Sequence, residues 1–216
     1  MGEYYSWINI DKKEYICPVD FDLGNKLTES SHAHNALLCA LFELLDEEWK
    51  GCRVIFAGDE RELIPEEEND ALKLLYSLSE ACGYPGCISD TILELLVNVS
   101  YKFKATKKLY KEKPIDWSPP YRDLFLRTGR EYKFIVNYTK KLYFKVNGGK
   151  NPLPGLMRFG CDGIGEWVGD VIGVADEVDS SLEEIVIVDN NDRDLILKLI
   201  SEPSEPNDAL RKLFNT

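Results

Sequence analysis

The sequence predicts an α+β fold in which two principal β-hairpins flank a three-helix middle, carried on a mixed or antiparallel sheet. Two observations predict it. Residues 4–17 hold β-branched and aromatic runs and residues 132–146 alternate apolar with polar, both marks of strands, whereas between Asn35 and Phe103 apolar residues recur at three and four, the period of a helix. Strands and helices therefore come in runs rather than in βαβ alternation, which separates α+β from α/β. With 216 residues, 44% of them hydrophobic, the chain suits one domain over 1–216 with a real core, and the prolines near 112–121 mark the only candidate boundary.

The aromatic and β-branched runs Tyr4–Ile10 and Glu14–Cys17 flank Asp11-Lys12-Lys13 and make the first hairpin, closed by Pro18. Asp20 to Ser31 reads as a polar connector. From Asn35, the positions Leu37, Leu38, Leu41, Leu44, Leu45 and Trp49 define an amphipathic helix that stops near Gly51. Cys52–Ala57 follows as a short strand ending in Gly58-Asp59-Glu60. Asn69 or Asp70 caps the second helix, and Gly83 ends it. Ser89 or Asp90 caps a third, carrying Ile92, Leu95, Leu96, Val99 and Phe103, and all three are expected to run for about 12 residues or more. The second hairpin pairs Tyr132–Tyr138 with Leu142–Val146 around Thr139-Lys140. Apolar runs at Trp167–Ala175, Ile185–Val188 and Leu195–Ile200 and a short helix near Asn207–Phe214 complete the chain.

Charge is distributed in blocks. Residues 1–100 hold 7 basic and 20 acidic groups, residues 101–150 hold 14 and 4, and residues 161–210 hold 2 and 14, for a net charge of −12 overall. The basic block interleaves cations with rings such as Tyr101, Phe103, Trp117 and Phe134, the pattern of a single-stranded nucleic-acid surface. A net −12 chain repels a polyanion at long range, which argues against nucleic acid as the partner. The acidic flanks instead suit a basic protein partner, because complementary charge speeds encounter and selects partners.

The polar, acidic stretch Met1–Lys13 predicts no secretory leader, and the longest apolar run, Ala36–Leu45, contains Glu43 and is too short to span a bilayer. A cytoplasmic protein with no membrane association is expected. In that compartment the six cysteines read as reduced, buried thiols, and Cys82 and Cys87 lack a second ligand pair for zinc.

The best candidate for chemistry is a near repeat. Arg53–Glu60 resembles Asp170–Glu177, and in each an apolar run ends in paired carboxylates, Asp59-Glu60 and Asp176-Glu177. If the two strand ends converge, these four carboxylates are the catalytic set of a metal-assisted hydrolase or phosphotransferase holding Mg2+. The plainer account is that Asp and Glu leave the core where a strand ends. His32 and His34, spaced at i, i+2, project to one side of an extended segment and form a candidate metal pair. Recognisable nucleotide-binding loops, nucleophile elbows and His-Glu-x-x-His motifs are missing from the sequence.

Several stretches, among them Tyr4–Tyr15, Gly24–Leu27, Glu48–Gly51, Asn137–Lys141 and Trp167–Asp170, resemble a family of uncharacterised bacterial proteins, over most of the chain. The resemblance implies a bacterial, cytosolic origin and carries no activity, ligand or catalytic residue. The sequence thus points to a non-catalytic interaction protein of immunity or antitoxin type, with no cofactor, and keeps the Mg2+ enzyme and the nucleic-acid surface as alternatives.

Overall fold

A computed structural model describes residues 3–21, 23, 26–32, 35–65, 68–83, 90–103, 131–146 and 149–186. The chain divides into two units, Met1–Ile185 and Val186–Thr216, and every described element belongs to the first. The runs expected at Leu195–Ile200 and Asn207–Phe214 lie outside the described residues. In chain order the elements are β1 (Tyr5–Asn9), β2 (Glu14–Ile16), α1 (Leu27–Ser30), α2 (Ala36–Asp46), β3 (Val54–Gly58), α3 (Asp70–Ala81), α4 (Asp90–Glu94), β4 (Val97–Asn98), β5 (Phe134–Asn137), β6 (Leu142–Lys145), α5 (Leu153–Leu156), β7 (Arg158–Gly160), β8 (Gly163–Ile164), β9 (Ile172–Ala175) and β10 (Glu183–Glu184). Helices and mixed sheets together make an α+β fold.

Both expected hairpins form. β1 pairs antiparallel with β2, and β5 with β6. Two sheets result, ordered β4-β2-β1-β3-β7-β8 and β10-β6-β5-β9. α2 begins at Asn35, whose side-chain oxygen accepts the Leu37 and Leu38 N–H groups, and α3 begins at Asn69, which does the same for Ala71 and Leu72.

The third helix is shorter than the Leu spacing predicts. It ends at Glu94, and Val97–Asn98 becomes an edge strand parallel to β2. Local polar chemistry explains the break: Val97 and Val99 donate their N–H groups to the Lys13 and Tyr15 carbonyls, while Asn98 binds Asp20 through its amide nitrogen and accepts the Ser100 N–H through its oxygen. Leu96 and Val99 stay buried outside any helix, and Phe103 is buried at the end of a 3-10 turn at Ser100–Phe103. The supposed polar connector holds α1 and a 3-10 turn at Pro18–Phe21.

The core explains the layering. In β3, Val54 and Phe56 belong to one apolar cluster and Ile55 and Ala57 to another, so the first sheet is covered on both faces. Leu72 and Leu75 of α3 and Ile92 of α4 cover one face. On the other lies α2, buried at every position from Ala36 to Leu45, and beyond α2 come Ile135, Phe144, Ile172 and Val174 of the second sheet. A helix apolar all round requires partners all round, and two sheets supply them.

The two sheets repeat one unit. Asn9 faces Glu14 and Val54 in the first, and Asn137 faces Leu142 and Ile172 in the second. Each asparagine accepts an N–H three residues on, from Lys12 or Lys140, and Lys13 and Lys141 each take a left-handed conformation at φ 56° and 59°. β4 runs parallel to β2 in the same register that β10 adopts on β6. Ahead of β3 and β9, Trp49 and Trp167 are both fully buried and Gly51 and Gly169 have φ of 76° and 73°. The register matches Val54 to Ile172, one residue away from the match that the paired carboxylates suggest. Arg53 and Val171 are equivalent in this scheme, and they pair with each other in an antiparallel bridge, as residues at a local twofold axis do.

Candidate functional site

The paired carboxylates do not converge. β3 and β9 touch through the antiparallel bridge at Arg53 and Val171, which precedes both strands, so from there they run in opposite directions. Advancing from Arg53 to Asp59 and from Val171 to Asp176 at about 3.3 Å per residue leaves the aspartates on the order of 30 Å apart. One Mg2+ cannot bridge that gap. Asp59 has local work: its Oδ1 accepts the Tyr4 N–H at 2.9 Å and its own N–H donates to the Tyr4 carbonyl at 3.0 Å, closing the β1–β3 ladder. Glu60 and Glu177 are exposed and Asp176 is half-buried.

His32 is exposed, with its backbone bridged to Lys150, and His34 lies outside the described residues. Among the described residues, no group of three or more His, Cys, Asp or Glu side chains is placed to hold a metal ion. The cysteines depart from the expected burial: Cys39 is buried, Cys17 and Cys52 are half-buried, and Cys82 and Cys161 are exposed, all five as free thiols. Cys82 caps the end of α3 and Cys161 sits in the β7–β8 turn, so neither occupies a core position. Of the basic aromatic block, residues 104–130 lie outside the described residues.

A constellation that sequence patterns did not single out lies at the open ends of β1, β3 and β7. Side chains two residues apart share a face, which aligns Glu3 with Tyr5 and Arg158 with Gly160. Gly58 faces Tyr5 across the β1–β3 ladder, and β7 lies parallel on β3. The two glycines leave a hollow in the sheet, and Glu3 fills it. A Cβ on Gly58 would collide with the Glu3 carboxyl, and one on Gly160 with both Glu3 and the Tyr5 hydroxyl. The carboxylate accepts the Tyr5 O–H at 2.5 Å and the Cys161 N–H at 2.9 and 3.1 Å.

Two guanidinium groups lie beside this hollow. Arg61 donates to the Gly160 carbonyl at 3.2 Å and stacks 4.8 Å above the Phe159 ring. Arg158 donates through Nη2 to the Asp162 carbonyl at 3.2 Å, and its buried Nε has no hydrogen-bond partner among the described residues. Burial, then the hydrogen bond and charge of Glu3, push the Tyr5 phenol well above its ordinary range, which keeps it a proton donor. Desolvation and the carboxylates of Glu3 and Glu60 push the Cys161 thiol up against the opposing Arg61. The group holds a carboxylate through a phenol and a backbone amide.

The second candidate surface is acidic. Between Val171 and Val186 the sequence has no Lys or Arg and carries Asp176, Glu177, Asp179, Glu183 and Glu184. Glu183 and Glu184 form β10, the outer strand of the second sheet, and both are exposed. Tyr143 donates to Glu184 at 3.4 Å, and no ion pair engages Glu177 or Glu183 among the described residues. No helix among the described residues is long and apolar enough to cross a membrane. No family profile, curated protein or solved structure matches this chain.

Proposed function

We propose that this protein is a non-catalytic interaction protein that presents an acidic surface to a basic protein partner, in the manner of an immunity or antitoxin factor. One observation carries the reading: the β9–β10 connection and the β10 edge expose Glu177, Asp179, Glu183 and Glu184 with no basic residue between Val171 and Val186. Outer strands also leave backbone donors and acceptors open to an extended segment, and glutamates there favour a basic one. The net charge of −12 adds long-range attraction for such a partner.

The test compares the native chain with a Glu177→Lys, Glu183→Lys, Glu184→Lys variant in capture from the host extract across a salt series. The native chain is expected to retain a basic protein at low salt and release it as screening increases, while the variant retains none. Retention that survives the charge reversal would remove the acidic edge from the interface. Mg2+-dependent turnover of a nucleotide or phosphoester by the purified chain would favour the enzyme alternative.

A further inference from the structure

We propose that the hollow between Gly58 and Gly160 is a binding site for a small carboxylic acid, and that Glu3 occupies it as an internal stand-in for that ligand. The inference is independent of the acidic surface, which lies on the other sheet.

Three features separate this hollow from an ordinary strand end. Glycines face the same side on two adjacent strands, where a glycine weakens pairing and is favoured mainly by the close approach of another group. Donors converge on one point from different elements: the Tyr5 hydroxyl from β1 and the Cys161 N–H from the turn after β7 both reach the same carboxylate. Two guanidinium groups lie near it, Arg158 on the hollow's own face and Arg61 on the Gly160 carbonyl, set against the carboxylates of Glu60 and Asp162, and among the described residues the buried Arg158 Nε has no acceptor. Hydrogen bonds from a phenol and a backbone amide to an ionised carboxylate are among the stronger ones available, and these two donors favour a carboxylate over a neutral occupant.

The occupant's size follows from the geometry. The space where two Cβ atoms would stand is filled by the carboxyl end of Glu3, so the matching occupant is a carboxyl group on a short stem. Glu3 enters from a segment attached at β1, so an outside acid competes with a tethered one at an effective concentration on the order of millimolar. A free acid abundant enough to win would displace the Glu3 side chain while Tyr4 stays paired with Asp59.

Replacing Glu3 by Ala deletes a fragment equivalent to acetate, which makes acetate the matching probe. The experiment follows the Cys161 backbone amide by NMR while acetate replaces chloride at constant ionic strength. In Glu3→Ala the amide is expected to shift saturably, with an apparent affinity about tenfold or more tighter than in the native chain, where Glu3 competes. Adding Tyr5→Phe to Glu3→Ala should weaken that response several-fold, since one of the two donors is gone. If Glu3→Ala fails to fold, Glu3→Gln serves instead: a neutral amide is the weaker occupant, and acetate should displace it at lower concentration than it displaces Glu3. An amide that ignores acetate in the substituted chain, or that responds equally in the native chain, would overturn the proposal. A response unchanged by Tyr5→Phe would do the same.

Discussion

Asp11 and Arg53 show what a single pair contributes at the junction of the two halves. The guanidinium donates to Asp11 Oδ1 from Nε at 2.9 Å and from Nη2 at 2.5 Å, and the Arg53 N–H donates to Oδ2 at 2.7 Å. Burial opposes ionisation of Asp11, but the hydrogen bonds and charge of Arg53 outweigh it and hold the carboxyl below its ordinary range. A carboxyl whose pKa is lower folded than unfolded stabilises fully above its unfolded value of about 3.9 and loses that contribution as pH falls through the folded value. Both side chains are about one-third exposed, so Asp11→Asn is expected to cost only about 1 kcal/mol at neutral pH. Denaturant titrations should show the two chains converging in stability as pH drops below about 4; a gap that stays constant into acid would mean the pair is not what Asp11 contributes. In the second half Thr139 takes the place of Asp11, its Oγ1 accepting the Val171 N–H at 2.9 Å, so the turn contact persists where the charge does not.

Two turns with the same backbone give different expectations for the same substitution. Gly51 and Gly169 both sit near φ 75°, a conformation that costs a side-chain-bearing residue about 1 kcal/mol or more. Nothing lies within 4 Å of a Cβ on Gly51, whereas a Cβ on Gly169 would strike Ala71 and the Asn69 oxygen that caps α3. Gly51→Ala should therefore lose about 1 kcal/mol and Gly169→Ala distinctly more, measured by thermal unfolding; equal losses would show that the approach to α3 is soft. Elements of this kind were legible in the sequence where local and long-range preferences agree. The start of α2 at Asn35, the Asn69 cap that the sequence offered beside Asp70, both hairpins and β3 follow from spacing, composition and cap chemistry. The third helix did not, because the Leu spacing at Ile92–Leu96 continues as burial while the hydrogen bonds of Val97 and Val99 go to β2. Nor did the Glu3 hollow, since glycines at 58 and 160 gain meaning only when β3 and β7 lie side by side. A pairing between strands about 100 residues apart leaves no periodic trace in either.

At the scale of the molecule, duplication organises the first unit. Its sequence trace was visible as a resemblance between Arg53–Glu60 and Asp170–Glu177, but the informative repeats are the hairpin turns at Asn9 and Asn137 and the Trp-x-Gly turns at Trp49 and Trp167. Alignment on the carboxylates slips by one residue because the strand register matches Val54 to Ile172. α2 binds the two halves into one core, and Leu41 at its centre is fully buried. Leu41→Ala is expected to cost about 2–5 kcal/mol. Because the cavity borders both sheets, far-UV and near-UV signals should lose their midpoints together; separate transitions would show that the halves unfold independently. The same arrangement bears on biosynthesis. α2 leaves the ribosome well before β5 to β9, the strands that cover its second face, and at about 5–20 residues per second that delay is on the order of ten seconds. Through it the nascent chain displays a largely apolar helix with one side uncovered, which makes this interval the point at which chaperone supply governs the yield of folded protein.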